Sequence, residues 1–200
     1  MRPIRVGLPD LGSIGNYALE QFGLPPRTLA EIREFVGNGA ANLISRAVEG
    51  RADEGEVLDT FRTYYNAHCQ VKTKPYEGVL EALAQLGEKY PMAIVSNKPD
   101  SAVKPLCEQY FPGIYALGER AGCPRKPAAD MVFAAMKDIG VETCVYVGDS
   151  EVDIATAKNA GVKCLSVLWG FRDKDVLIDA GGAYFCDDTA QLVEKIEELI

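Results

Sequence analysis

The stretch at residues 145–161, V-Y-V-G-D-S-E-V-D-I-A-T-A-K-N-A-G, restricts the fold more than any other part of the chain. Residues 144–147 form a short apolar run, Gly148 ends it, and an alanine-rich segment follows. That order predicts a buried strand, a glycine turn and a helix. Asp149 and Asp153 stand four residues apart. An i,i+4 spacing predicts both carboxylates on one face of the first helical turn, where the helix dipole favours negative charge. Two hard oxygen ligands beyond the carboxyl end of a strand suit a magnesium ion. The same residues also suit a cap by Asp149 or Ser150 with Asp153 in solvent. The stretch alone leaves both open.

The rest of the chain supplies a context. From Pro75 onward, apolar runs alternate with helical periods: 91–95, 114–117, 144–147, 162–168 and 183–186 read as strands, with helices between them and a last helix from Thr189. This is the pattern of a parallel sheet with helices on both faces. The first third reads differently. Leu11, Ile14, Ala18, Leu19 and Phe22 recur at a helical period before the break at Gly23-Leu24-Pro25-Pro26. Thr28 begins a second helix with Glu31 placed for a capping box. Residues 40–48 and 53–71 continue as helices, and 1–7 are strand-like at best. The expected organisation is a helical domain at 8–74 and an α/β core at 75–200, with 1–7 a remnant or substitute of a core strand.

Composition narrows the function classes. With 21 basic against 29 acidic residues and a net charge of −8, the chain lacks the basic surface that nucleic acid or an anionic membrane requires. A small anionic substrate needs only a local basic pocket and remains compatible. The six cysteines are widely spaced with no C-x-x-C, which fits free thiols in a reducing compartment better than disulfides or zinc. The one histidine, His68, lies in a polar helical stretch and has no second histidine to join it in a site. No signal peptide and no apolar run of membrane-spanning length occurs, so a cytoplasmic location is the default expectation. Neither G-x-x-x-x-G-K-[ST] nor a G-x-G-x-x-G after a strand is present, which argues against P-loop and dinucleotide binding.

Three loops fall beyond the carboxyl ends of predicted strands, where open parallel sheets bind ligands. Ser96 and Asn97 follow the run at 92–95 and offer a hydroxyl and nearby amides to phosphate oxygens. Lys126 stands before Pro127 at a helix start, where a lysine neutralises a phosphoryl group and a neighbouring carboxylate. Asp149 and Asp153 supply the metal side. Singly, each has an ordinary structural explanation: a turn, an exposed lysine, a cap. Their order along one α/β pattern is far more specific.

These loops resemble the second, third and fourth motifs of the haloacid dehalogenase superfamily of phosphohydrolases, and the helical first third looks like its small helical cap. L-P-P-R-T-L-A-E-I-R-E-F-V-G-N-G (24–39), V-S-N-K-P (95–99), R-K-P-A (125–128), G-D-S-E-V-D-I-A-T-A-K-N-A-G (148–161) and L-W-G-F-R-D (168–173) are similar to the phosphoglycolate phosphatase branch. The resemblance runs over residues 8–200. It implies a Rossmann-like parallel core and a magnesium-dependent phosphatase of small phosphorylated metabolites. On it, Ser96 binds phosphate, Lys126 neutralises charge, and Asp149 ligates magnesium. Asp153 supports the metal directly or through water, and the loop Gly37, Asn38 and Gly39 closes over the substrate.

One family element has no counterpart. The first motif, a strand followed by D-x-D-G-T, supplies the attacking aspartate and the acid/base, and nothing in this sequence matches it. Asp10 is a poor substitute, because position 12 is Gly12 and residues 8–23 match the first cap helix without adjustment. The simplest expectation is a chain that begins past that motif, with little or no turnover, since coupled catalytic groups fail together. The alternative is a non-catalytic phosphate-binding or regulatory protein on the same scaffold. A receiver-type signalling domain fits less well, because its acidic pair comes early and it has no helical cap. The absent strand is the family sheet's central one, so two strand edges are expected to lie open unless residues 3–6 fill the slot.

Overall fold

The computed structural model describes residues 4–5, 8–36, 39–68 and 74–200. They group into two compact units, Ile4–Lys74 and the remainder from Pro75 to Ile200.

The first unit is helical. Strand β1 (Ile4–Arg5) precedes α1 (Leu8–Gln21), α2 (Leu29–Phe35), α3 (Gly39–Val48) and α4 (Glu54–His68), and β2 (Lys74–Pro75) follows. β1 pairs with β2 in a two-stranded sheet. The apolar stripes of the four helices meet in a core that includes Leu19, Ile32, Ile44, Val48 and Val57, all essentially inaccessible. Burying each such side chain contributes about 1.5–3 kcal/mol before chain entropy is counted. Thr28 caps α2 as its pattern predicts. Its hydroxyl accepts from Glu31 N, and Glu31 Oε2 accepts from Thr28 N at 2.8 Å. Arg27 ties the start of α2 to the end of α3 by donating from Nε and Nη2 to Ala47 O at 2.9 and 2.7 Å. Asn16 of α1 clasps the backbone of Arg27 from both sides.

The second unit is α/β. Its elements are α5 (Val79–Gly87), β3 (Ala93–Pro99), α6 (Asp100–Tyr110), β4 (Tyr115–Glu119), α7 (Asp130–Ile139), β5 (Val145–Gly148), α8 (Glu151–Ala160), β6 (Lys163–Val167), α9 (Lys174–Asp179), β7 (Tyr184–Cys186), a 3-10 turn (Thr189–Gln191) and α10 (Leu192–Glu197). β3 and β4 are parallel, and β5, β6 and β7 form a second parallel ladder in that order. Helices cover both faces. Tyr146 packs with Val132, Ala135 and Ala157 of α7 and α8. The alternate residues Val145 and Val147 turn the other way, toward Ala82 of α5 and Leu192 of α10.

No strand pairing joins β3 to β5 among the described residues. β1 pairs with β2 and not with either of them, and Pro3 and Val6 lie outside the described residues. Between β3 and β5 runs a cleft of about 540 Å³. Among the described residues the facing edges of β3 and β5 have no strand neighbour, and Ile4 and Arg5 pair with neither.

Candidate active site

The site residues sit at the carboxyl ends of β3 and β5 and in the loop before α7. β3 leaves its regular register between Val95 and Pro99, and Ser96 and Asn97 fall in that irregular stretch. Lys98 N donates to Ser96 Oγ at 3.2 Å. Asn97 uses its side chain on the next loop: Nδ2 donates to Lys126 O at 2.9 Å and Oδ1 accepts from Lys126 N at 2.8 Å. The residue expected to bind phosphate thus locks two loops together.

Lys126 is held at its other end as well. Its side chain is 8 % exposed, and Nζ lies 2.7 Å from Asp153 Oδ1. Nζ also donates to Tyr146 Oη at 3.1 Å, and that hydroxyl donates to Asp153 Oδ1 at 3.2 Å. Asp153 Oδ2 accepts from Ser150 Oγ at 2.6 Å and from Asp149 N at 3.2 Å. Burial pushes the Asp153 carboxyl up, but the Lys126 ammonium and these hydrogen bonds outweigh it and hold the group well below the usual carboxylate range.

The structure differs from the predicted shared face of one helical turn. α8 begins at Glu151, so Asp149 lies in the turn before it and the two carboxylates do not share a helical stripe. Ser150 is the cap residue by position, yet its hydroxyl donates to Asp153 instead of accepting a helix amide. Asp153, in the first turn, reaches back to the backbone of Asp149. It is buried at 3 % exposure rather than solvated.

Asp149 is 2 % exposed. Its Oδ2 accepts from Phe171 N at 3.3 Å, and its Oδ1 is buried. Two glycines make room for the pair. A Cβ on Gly170 would stand 2.2 Å from Asp149 Cβ, and one on Gly148 would stand 2.2 Å from Asp153 Cβ. Neighbouring Arg172 forms a two-pronged pair with Glu151 at 2.8 and 3.0 Å, which anchors the loop after β6 to the start of α8.

Asn97, Lys126, Asp149 and Asp153 thus belong to one hydrogen-bonded neighbourhood, through the Asn97 clamp and the Lys126–Asp153 pair, and Ser96 adjoins it as the neighbour of Asn97 along β3. Gly39 opens α3 in the helical unit, and Gly37 and Asn38 lie outside the described residues. Asp10 is in the first turn of α1 in that same unit. Sequence reasoning missed Tyr146 and Ser150. The signal for Tyr146 was a hydroxyl inside the apolar run V-Y-V, which a buried strand accepts only if the hydroxyl finds a partner.

A family profile described as haloacid dehalogenase-like hydrolase matches residues 10–167. A phosphoglycolate phosphatase of Pseudomonas fluorescens is 32% identical over 200 residues, covering 93% of this chain and 73% of its own length. One from Cereibacter sphaeroides is 34% identical over 180 residues, covering 84% of this chain and 82% of its own. Among solved structures, a Lactobacillus delbrueckii subsp. bulgaricus protein provisionally named phosphoglycolate phosphatase matches with a TM-score of 0.89 at 36% identity, over 96% of this chain and 93% of that one. A haloacid dehalogenase-like hydrolase of Streptococcus pneumoniae, at 18% identity and a TM-score of 0.86, shares the fold. The chain belongs to the haloacid dehalogenase-like hydrolases, with phosphoglycolate phosphatases among its homologues.

Proposed function

We propose that the core unit carries the phosphate- and magnesium-binding side of a phosphatase site for a small phosphorylated metabolite of the phosphoglycolate kind. The buried Lys126–Asp153 pair is the observation that carries this reading. A lysine at 8 % exposure is costly unless it serves as more than a surface charge. Among the described residues, two of its three N–H donors go to Asp153 and Tyr146, and the third can serve a phosphoryl oxygen. Lys98 N occupies one lone pair of Ser96 Oγ, and the hydroxyl proton can serve a second phosphoryl oxygen.

The residues present suit magnesium. Asp149 is a buried hard-oxygen donor pressed into place by the backbone of Gly170. Magnesium takes one or two carboxylates and fills its remaining positions with water and substrate phosphate, a role open to Asp149. When bound, the ion would neutralise charge on the phosphoryl oxygens. Asp153 is the positioning residue: it fixes the Lys126 ammonium and the Asp149 backbone and has no oxygen left over for attack.

Of the two site carboxylates, Asp153 is saturated by donors and Asp149 faces the metal role, so neither serves as the phosphoryl acceptor. The chain as it stands is expected to bind phosphate with magnesium and to release negligible phosphate from phosphoglycolate. The same saturation supports the second reading, a non-catalytic phosphate-binding protein. Titration calorimetry and a phosphate-release assay separate the outcomes. Magnesium-dependent phosphate binding, lost in Asp149→Asn, supports the site. Turnover that vanishes in Asp149→Ala would show that a complete catalyst is present. Absence of both binding and turnover would remove the site.

A further inference from the structure

We propose that Arg172 is a positioning residue for Asp149: its pair with Glu151 holds the loop after β6 in the place from which that loop aims the Asp149 carboxylate at a magnesium ion. This rests on the magnesium reading above and names the part of the chain that sets the affinity.

Asp149 does not sit on a regular element. It falls in the turn between β5, which ends at Gly148, and α8, which begins at Glu151. Its side chain meets a second irregular stretch, residues 168–173, between β6 and α9. Phe171 N donates to Asp149 Oδ2 at 3.3 Å. The backbone of Gly170 comes so close that a Cβ there would stand 2.6 Å from that oxygen. These two contacts come from the loop, so they hold the carboxylate only as firmly as the loop itself is held.

The loop is tied on both sides of that contact. At its start, Leu168 N donates to Cys186 O at 3.0 Å, which sets it against β7. Just past Gly170 and Phe171, Arg172 donates from Nε and Nη2 to the two carboxylate oxygens of Glu151, at 2.8 and 3.0 Å. Two parallel charge-assisted bonds fix an angle as well as a distance. The Arg172 side chain is 11% exposed, so salt screens the pair less than a surface pair. Glu151 opens α8, and Asp153 in the same helical turn holds the Lys126 ammonium. Arg172 therefore ties Phe171, the donor to Asp149, to the turn that also places the lysine. A partner in this outer position orients a ligand without touching the ion, and its loss typically costs about ten- to a hundredfold in metal affinity.

The test uses the whole chain as it stands, with Arg172→Ala, Arg172→Lys and Glu151→Ala. Lysine keeps the charge but cannot form the two-pronged pair. Magnesium affinity is read by calorimetry, and amide hydrogen exchange at Phe171 is read without metal. All three variants are expected to bind magnesium about tenfold or more weakly and to exchange the Phe171 amide faster, while the amides of Val147 and Leu165 keep their rates. Glu151 is the more exposed partner, so Glu151→Ala decides the matter if the Arg172 variants fail to fold. Unaltered magnesium affinity in Arg172→Lys would overturn the proposal in favour of a bare charge effect. Unaltered affinity in Glu151→Ala, with only a lower urea midpoint, would make the pair a brace for the fold and overturn it too. So would weakened binding without faster exchange at Phe171. An unsubstituted chain that binds no magnesium would sink the magnesium reading and the proposal with it, and faster Phe171 exchange in the variants would then tell that failure from a failed tie.

Discussion

Lys126 and Asp153 bind each other in a setting where neither is tolerated alone. Their side chains are 8% and 5% exposed, so removing one partner leaves an uncompensated buried charge. Lys126→Ala is expected to cost about 3–5 kcal/mol at neutral pH, read from urea midpoints. The pH dependence has a definite sign. In the native chain the Asp153 carboxyl is held below its ordinary value, so its contribution is present at neutral pH and is lost as pH falls through the folded-state value. In Lys126→Ala the ammonium is lost while burial and the remaining hydrogen bonds stay, so the carboxyl sits higher than in the native chain and the variant protonates first as pH falls. The gap between the two proteins should therefore narrow on acidification; a gap that widens would mean that Asp153 is solvated in the variant. Gly170 makes a separate prediction. A methyl group there would stand 2.2 Å from Asp149 Cβ and 2.6 Å from Oδ2, and must displace the carboxylate. Gly170→Ala should weaken magnesium binding by about tenfold or more, with the Lys126–Asp153 pair unaffected, as seen by calorimetry beside an unchanged acid profile.

At the scale of elements, α2 shows what was legible from sequence. Thr28 and Glu31 are three residues apart, and their capping box formed as read. Exposed caps of this kind are worth about 1 kcal/mol, and Thr28→Ala should lose that much. Arg27, one residue earlier, has one local partner, Glu31 at i,i+4 and 3.3 Å. Its other partners are Ala47 O, twenty residues on, and Glu49 at 2.9 Å, and only the packed helices bring those together. Arg27→Ala leaves the Ala47 carbonyl without its charged donor and should cost about 2–3 kcal/mol, more than the cap; a smaller loss than Thr28→Ala would show that water replaces the guanidinium. The same division runs through the core. β5, its glycine turn and α8 were legible because a short apolar run, a glycine and an alanine-rich segment are local signals. The placement of Asp149 before α8 rather than on it was not, since the helix start is decided by Ser150 and Asp153 bonding to each other. The three loops were legible as a set. The clamp that unites two of them was not, because nothing in N-K-P predicts that Asn97 would face the backbone of Lys126.

For the molecule as a whole, the net charge of −8 opposes the phosphate ligand proposed for the site. A phosphate anion approaching this protein meets a repulsive long-range field and an attractive buried lysine, and the two respond differently to salt. At about 0.1 M ionic strength the Debye length is roughly 10 Å, so repulsion from scattered surface carboxylates is largely screened. Contact with Lys126, at 8 % exposure, lies inside a distance and a burial where added salt has little effect. Raising sodium chloride from about 20 to about 150 mM at fixed magnesium should therefore speed phosphate association roughly two- to threefold and leave dissociation unchanged, so that affinity rises slightly. A protein that gathers anions over a basic surface shows the opposite slope. A steep fall in phosphate affinity over that range, measured by stopped-flow or calorimetry, would place the binding charge on exposed lysines and arginines rather than on the buried pair.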